Sequence, residues 1–240
     1  MTPPRVTVCG HNKKDLIPLL ERYGFQIDEQ NPEAAISYGG DGTLLGAERA
    51  WPGIPKVALR DSRHCRTCSH HSNEEILEHL AQRTLRPIEF MKIRATAGDR
   101  EAIGLNDIIL RNARVNVGMR FLVEVNGESY TTKEIVGDGL VIATPFGATA
   151  YFCSVAHCVF RTGIGIAFNN STDQLNHLIV GEDSVIRVRV TRGPAFLAAD
   201  NDTDSIAVDG GDEITVRRAK ETATILFYDK LRFENRRIVY

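Results

Sequence analysis

Long apolar runs are missing from this 240-residue chain, so nothing in it reads as a helix able to span a bilayer. Cysteine is scarce: five residues, an odd number, fit reduced thiols better than a disulfide framework. An excess of either charge is lacking as well. Lys and Arg total 29 against 31 Asp and Glu, a formal net charge of -2, which argues against general affinity for nucleic acid or an anionic membrane. Met1-Thr2-Pro3-Pro4-Arg5 leads straight into a strand-like Val6-Thr7-Val8-Cys9, without the apolar core of a signal peptide. There is no repeat and no low-complexity tract. Together these absences predict a cytoplasmic globular protein with neither a membrane nor a nucleic-acid partner.

What is present suits a folded protein of one large or two modest domains, with 42% hydrophobic and 25% charged residues. The first part alternates strands and helices. Strands are expected at 5–9, 34–38 and 55–59, and helices at 11–23 (irregular at Pro18), 43–50 and 72–83. From residue 85 the texture becomes β-rich, with strands expected at 88–97, 101–110, 120–125, 128–132, 135–144, 164–168, 178–180, 184–190, 195–199 and 213–218. Asn126-Gly127 is a hairpin signal. One helix, 148–160, interrupts the series. The expected organisation is an α/β domain over 1–86, a β-rich, sandwich-like domain over 87–221, and a closing segment, 222–240, that packs back on the first domain.

Three stretches carry chemistry. In Tyr38-Gly39-Gly40-Asp41-Gly42-Thr43 a buried strand runs into a glycine turn and then a helix, an arrangement that sets backbone N–H groups against phosphate. A carboxylate in such a turn repels phosphate unless it holds a metal ion or takes a proton from an attacking hydroxyl; the plain alternative is that Asp41 caps the helix. Gly104-Leu105-Asn106-Asp107 places an Asn-Asp pair inside a strand-like run, either as donors at the edge of a site or as a turn or bulge. Gly137-Asp138-Gly139 through Thr144-Pro145-Phe146-Gly147-Ala148-Thr149-Ala150-Tyr151 leads a buried strand into a helix start. Thr149, Tyr151 and Ser154 there can present hydroxyls to a polar, anionic ligand.

In this order and spacing, GGDGTLL, LND and DGLVIATPxGxTAY resemble the NAD kinase family. Ile166 to Asn170, Ala198-Ala199-Asp200 and Phe227 to Arg232 extend the similarity. The GGDG motif is shared with diacylglycerol and sphingosine kinases, whereas the TPxGxTAY block is not. The resemblance implies a Rossmann-like α/β domain with a β-sandwich-like partner. It implies phosphorylation of the 2′-hydroxyl of the adenosine ribose of NAD, with ATP or polyphosphate as donor and Mg²⁺ carried by the donor phosphates. By motif, Asp41 would be the general base, and Gly39, Gly40, Gly42 and Thr43 the phosphate-facing turn. Asn106 and Asp107 would bind adenosine, and Asp138 would lie towards nicotinamide. Thr149, Ala150, Tyr151 and Ser154 would line the dinucleotide pocket, with Ala167 and Asp200 as further NAD-binding positions. A homodimer or homotetramer is implied.

Departures from the family pattern are visible. Asp107 is shorter than the usual glutamate, Ala148 replaces a serine, His157-Cys158 stands where a Gly-Gly pair is common, and Arg60-Asp61-Ser62-Arg63 follows the third strand. They leave two other readings standing: a nucleotide-binding member of the family without catalysis, and a lipid or small-molecule kinase sharing GGDG. Cys65 and Cys68, among His64, His70 and His71, have zinc-knuckle spacing. All these ligands crowd into eight residues without a second pair, so an ordinary polar loop is the preferred reading. Arg187 and Arg189 share a strand face, either a solvated surface or a polyphosphate stripe.

Overall fold

The computed structural model describes residues 2–61, 71–173 and 175–228. The described chain divides into two compact units: residues 2–90 together with 222–228, and residues 91–221.

Unit 1 is built on three parallel strands, β1 (Val6–Cys9), β2 (Ala34–Tyr38) and β3 (Lys56–Leu59). Their apolar residues are continuous rather than alternating, as expected where both faces are covered. Ala34, Ala35 and Ile36 are almost wholly buried. A 3-10 turn at Lys13–Leu16 leads into α1 (Ile17–Arg22), with Pro18 inside the first turn, where its missing N–H costs least. Helix α2 (Asp41–Ala50) buries Leu44, Leu45 and Ala47. Helix α3 (Asn73–Ala81) starts at a capping box: the Ser72 hydroxyl accepts from the Glu75 N–H (3.2 Å), and the Glu75 carboxylate accepts from the Ser72 N–H (2.9 Å). Ile76, Leu77 and Leu80 join Val6, Leu20, Ile36, Val57 and Leu59 in one core.

Unit 2 is two antiparallel layers. The strands follow in order: β4 (Arg86–Ala97, of which 91–97 belong to this unit), β5 (Arg100–Gly104), β6 (Asp107–Asn112), β7 (Met119–Val125), β8 (Glu128–Ser129), β9 (Ile135–Gly137) and β10 (Gly139–Ala143). After a 3-10 turn at Gly147–Thr149 comes α4 (Tyr151–Ala156). The series ends with β11 (Ile164–Asn169), β12 (His177–Val180), β13 (Ile186–Arg192), β14 (Ala195–Ala199), β15 (Ile206–Val208) and β16 (Glu213–Phe227). One sheet runs β12-β11-β10-β6-β14-β15; in the other layer β13 lies between β7 and the first part of β16. Ile108, Leu110, Leu140, Ile142, Ile166, Phe121, Val123, Val188 and Val216 fill the space between them. The expected α/β plus β-rich architecture is the one found.

Several elements differ from expectation. The run 101–110 is not one strand: it breaks at Leu105 and Asn106. The run 135–144 breaks at Asp138. The helix after Pro145 spans only Tyr151–Ala156, because His157 takes a left-handed conformation (φ 54°). Strand β15 was not anticipated, and β16 runs well beyond Arg218. Within unit 1 the end of β16 lies parallel to β3, with Ile225 opposite Lys56; the remainder of the closing segment, 229–240, falls outside the described residues.

Candidate functional site

The glycine turn of unit 1 sits at the carboxyl ends of adjacent parallel strands, where open α/β sheets place their ligands. The Gly39 N–H donates to the Leu59 carbonyl (2.9 Å), tying the turn to the end of β3. Thr43 packs over Gly39 so closely that any side chain at 39 would collide with its hydroxyl. The Gly40 carbonyl accepts from the N–H groups of Thr43 (3.0 Å) and Leu44 (3.3 Å), starting α2 with Asp41 as its first residue. An acidic side chain is favourable at that end of a helix. Gly42 is exposed, and Asp41 and Thr43 are partly so.

Two features of this turn were not read from the sequence. Gly10, after β1, has φ 147° and lies against the Tyr38 carbonyl, leaving no room for a side chain. Beneath α2, Lys56 and Glu48 form a buried ion pair, 0% and 3% exposed, with Lys56 Nζ also donating to the Trp51 carbonyl (2.8 Å). A lone Lys at the start of an apolar strand and a lone Glu on a helix give no warning of each other.

In unit 2 the break at Leu105 and Asn106, together with Asp107 at the start of β6, is held from two sides. One carboxylate, Asp200, accepts from three successive backbone N–H groups: Leu105 (2.9 Å), Asn106 (2.7 Å) and Asp107 (3.1 Å). Thr144, wholly buried, holds the carbonyls: its N–H donates to Asn106 O (2.9 Å) and its hydroxyl to Leu105 O (2.6 Å). Gly147 completes the corner by donating to the Thr144 hydroxyl (3.2 Å), and a side chain at 147 would collide with the Asn106 carbonyl. The Asn106 side chain is thereby presented by a fixed loop. Asp107 is 3% exposed; burial, reinforced by the Asp200 charge, pushes its carboxyl up to about 8. Burial also raises Asp200, opposed by its three N–H donors and the nearby Lys92 charge.

The hydroxyl-rich block continues this unit. Thr149, Ala150 and Tyr151 are partly exposed and Ser154 is exposed, its hydroxyl donating to the Tyr151 carbonyl (2.7 Å). Two neighbours at the end of β11, within the family-like segment 166–170 but given no role from sequence, bond to residues of this block. Asn169 Nδ2 donates to the Tyr151 hydroxyl (3.2 Å), and Asn170 Nδ2 to the Asp138 carboxylate (2.9 Å). Ala148 is fully buried, so the hydroxyl it lacks is missing from an interior position.

Two of the expected positions, Ala167 and Asp200, are engaged within the unit. Ala167 is covered, packed with Val141, Ala143, Phe152 and Ala156 in a small apolar cluster. Asp200 spends its carboxylate on backbone: three of the roughly four acceptor sites of a carboxylate are taken. The Cys65–Cys68 loop lies outside the described residues, among which no group of three or more His, Cys, Asp or Glu is placed to hold a metal. Arg187 and Arg189 lie beside Glu213 (3.9 and 3.6 Å) on an exposed face, a balanced surface rather than an anion stripe.

Comparison with solved structures gives the fold. A yeast NADH kinase complexed with NADH superposes with a TM-score of 0.81 at 16% identity, over 95% of this chain and 85% of that one. An Archaeoglobus fulgidus NAD kinase in complex with ATP gives 0.77 at 20% identity, over 94% and 93%. Among sequence relatives, the NAD kinase of Acidithiobacillus ferrooxidans is 28% identical over 232 residues, covering 90% of this chain and 77% of its own. That of Sulfurisphaera tokodaii is 26% identical, covering 90% of each. The family model for the ATP-NAD kinase C-terminal domain matches residues 105–227, just over half of the 240. The chain belongs to the NAD kinase family.

Proposed function

We propose that this chain phosphorylates NAD, moving the terminal phosphoryl group of ATP (or a phosphoryl group of polyphosphate) to the 2′-hydroxyl of the adenosine ribose. The observation that carries the reading is the placement of Asp41: one carboxylate, first in its helix, after two glycines at the carboxyl end of a parallel sheet. A ribose hydroxyl is a poor nucleophile at neutral pH, and a positioned carboxylate that takes its proton contributes ~10²–10⁴-fold. Gly39, Gly40, Gly42 and Thr43 face the donor phosphates. Asn106 and Asp107 take the adenosine, Asp107 as a neutral acid able to donate a hydrogen bond. Asp138 lies towards nicotinamide, and Thr149, Ala150, Tyr151 and Ser154 line the dinucleotide pocket.

The donor set at the turn, a single carboxylate and one hydroxyl among glycines, fits a Mg²⁺ that arrives on the phosphates, with Asp41 and Thr43 as the protein oxygens beside it. That ion supplies neutralisation of phosphate charge. A cytoplasmic homodimer or homotetramer belongs to the same reading. The test is direct: incubate the protein with NAD and Mg-ATP, or Mg and polyphosphate, and measure NADP. The expected result is NADP formation that Asp41→Asn lowers by ~10²–10⁴-fold with folding intact; no NADP from either donor overturns it.

A further inference from the structure

The segment from Leu105 to Asp107 has three N–H groups and three carbonyls, and each finds a partner from elsewhere in unit 2. The N–H groups all donate to Asp200. The Leu105 and Asn106 carbonyls accept from Thr144, and the Asp107 carbonyl accepts from the Asp200 N–H (2.9 Å). Two residues distant in sequence, Thr144 (39 positions from Leu105) and Asp200 (93 to 95 positions from the three amides), thus fix six backbone groups. The surroundings are shaped for it. Asp200 adopts φ 52°, an uncommon conformation for a residue with a side chain, which turns its own N–H and its carboxylate to the same loop. Gly104 has no side chain, and a Cβ there would meet the Asp107 carbonyl and lie 3.2 Å from the Asp200 carboxylate. Lys92, 7% exposed, adds a favourable charge.

Plain strand pairing does not call for this. Chain could pass from β5 to β6 through a solvated turn, with water satisfying its backbone. Instead one partly buried carboxylate and one buried hydroxyl immobilise three residues, of which the middle one, Asn106, is partly exposed. We propose that Asp200 and Thr144 are positioning residues that set the Asn106 side chain for the nucleotide, rather than groups that touch the nucleotide themselves. The inference rests on the assignment of Asn106 to the NAD pocket. A recognition amide held in this way binds without first being ordered, so loosening its support costs affinity although no ligand contact has been removed.

The test is a double-mutant cycle on NAD affinity, measured by calorimetry with the full chain. Single variants are Asn106→Ala, Asp200→Asn and Thr144→Val, each pairing with Asn106→Ala. Asp200→Asn turns two donors towards N–H groups that need an acceptor, and Thr144→Val leaves Leu105 O and Gly147 N–H unpartnered. Each positioning variant should weaken NAD binding roughly ten- to hundredfold. In the Asn106→Ala background the same changes should cost less than about twofold, because coupled residues are not additive. Hydrogen exchange of amides 105–107 should speed up in Asp200→Asn, with protection in β10 and β11 retained. Additive losses, unchanged affinity, or faster exchange spread over the whole unit would overturn the proposal. NADP formation is measured separately: coupled NAD binding without turnover would overturn the kinase reading and support this one. Absence of NAD binding by the unaltered protein would overturn both.

Discussion

Asp107→Asn isolates the proton that the fold keeps on a buried carboxyl. In the folded chain burial moves this group from 3.8 to about 8, with the Asp200 charge adding to it. Asp200 needs its lone pairs for three N–H donors, so the proton belongs on Asp107. The unfolded chain releases that proton near 3.8. Between there and about 8 the folded state therefore holds one proton more, and stability from this group is full at low pH and lost as pH rises. The slope is at most about 1.4 kcal/mol per pH unit. Asparagine has nearly the shape of the neutral acid and never ionises. Urea unfolding of both proteins, followed by far-ultraviolet circular dichroism between pH 5 and pH 8, should show the variant gaining on the parent with each step, by a few kcal/mol in all. Subtraction cancels the exposed carboxylates Asp28, Glu33, Glu75, Glu134 and Glu221, whose lowered values work in the opposite direction. A difference that stays flat with pH would show that Asp107 is ionised in the fold and refute the argument.

Lys56→Met leaves the Glu48 carboxylate buried beside an apolar chain and should cost about 3–5 kcal/mol; replacing both, as Lys56→Met with Glu48→Leu, should recover most of it. Denaturant midpoints of the two proteins decide this, and equal losses would exclude an ion-pair origin. Gly147→Ala drives a methyl into the Asn106 carbonyl and should destabilise by about 1–3 kcal/mol, with a parallel loss of NAD affinity. Unchanged affinity in that variant would mean that the corner does not communicate with Asn106.

The legible parts were those that local chemistry dictates. Ala34–Tyr38 and the helix after Gly40 could be read because an apolar run, two glycines and a helix-forming stretch follow one another without ambiguity. Ser72 and Glu75 announced α3, and Asn126-Gly127 its hairpin, with φ 55° and 85°. What could not be read depends on partners far along the chain. The strand at 101–110 is interrupted by a carboxylate at 200, and nothing near Leu105 foretells it. Helix α4 stops at a histidine rather than a glycine, after which Phe160 folds back to meet Phe152 edge-on (4.9 Å). Gly165, opposite on β11, makes the room: a side chain there would collide with both rings. Strand β15 is three residues long and follows an acidic turn, too short for its alternation to register. Strand β16 hides its length behind Arg217, Arg218, Lys220 and Glu221, exposed residues in two adjacent pairs that interrupt the period-two alternation of its buried positions.

The reach of Asp200 back to Leu105 also determines where this molecule can be enlarged. A tag or reporter inserted just after Ala199 would preserve every strand pair yet carry the carboxylate off its three amides. The β6–β7 connection is different: Val115 stands fully in solvent at its tip, and its neighbours fasten the base of the loop through Asn112 and Ala113. Cargo belongs at that tip.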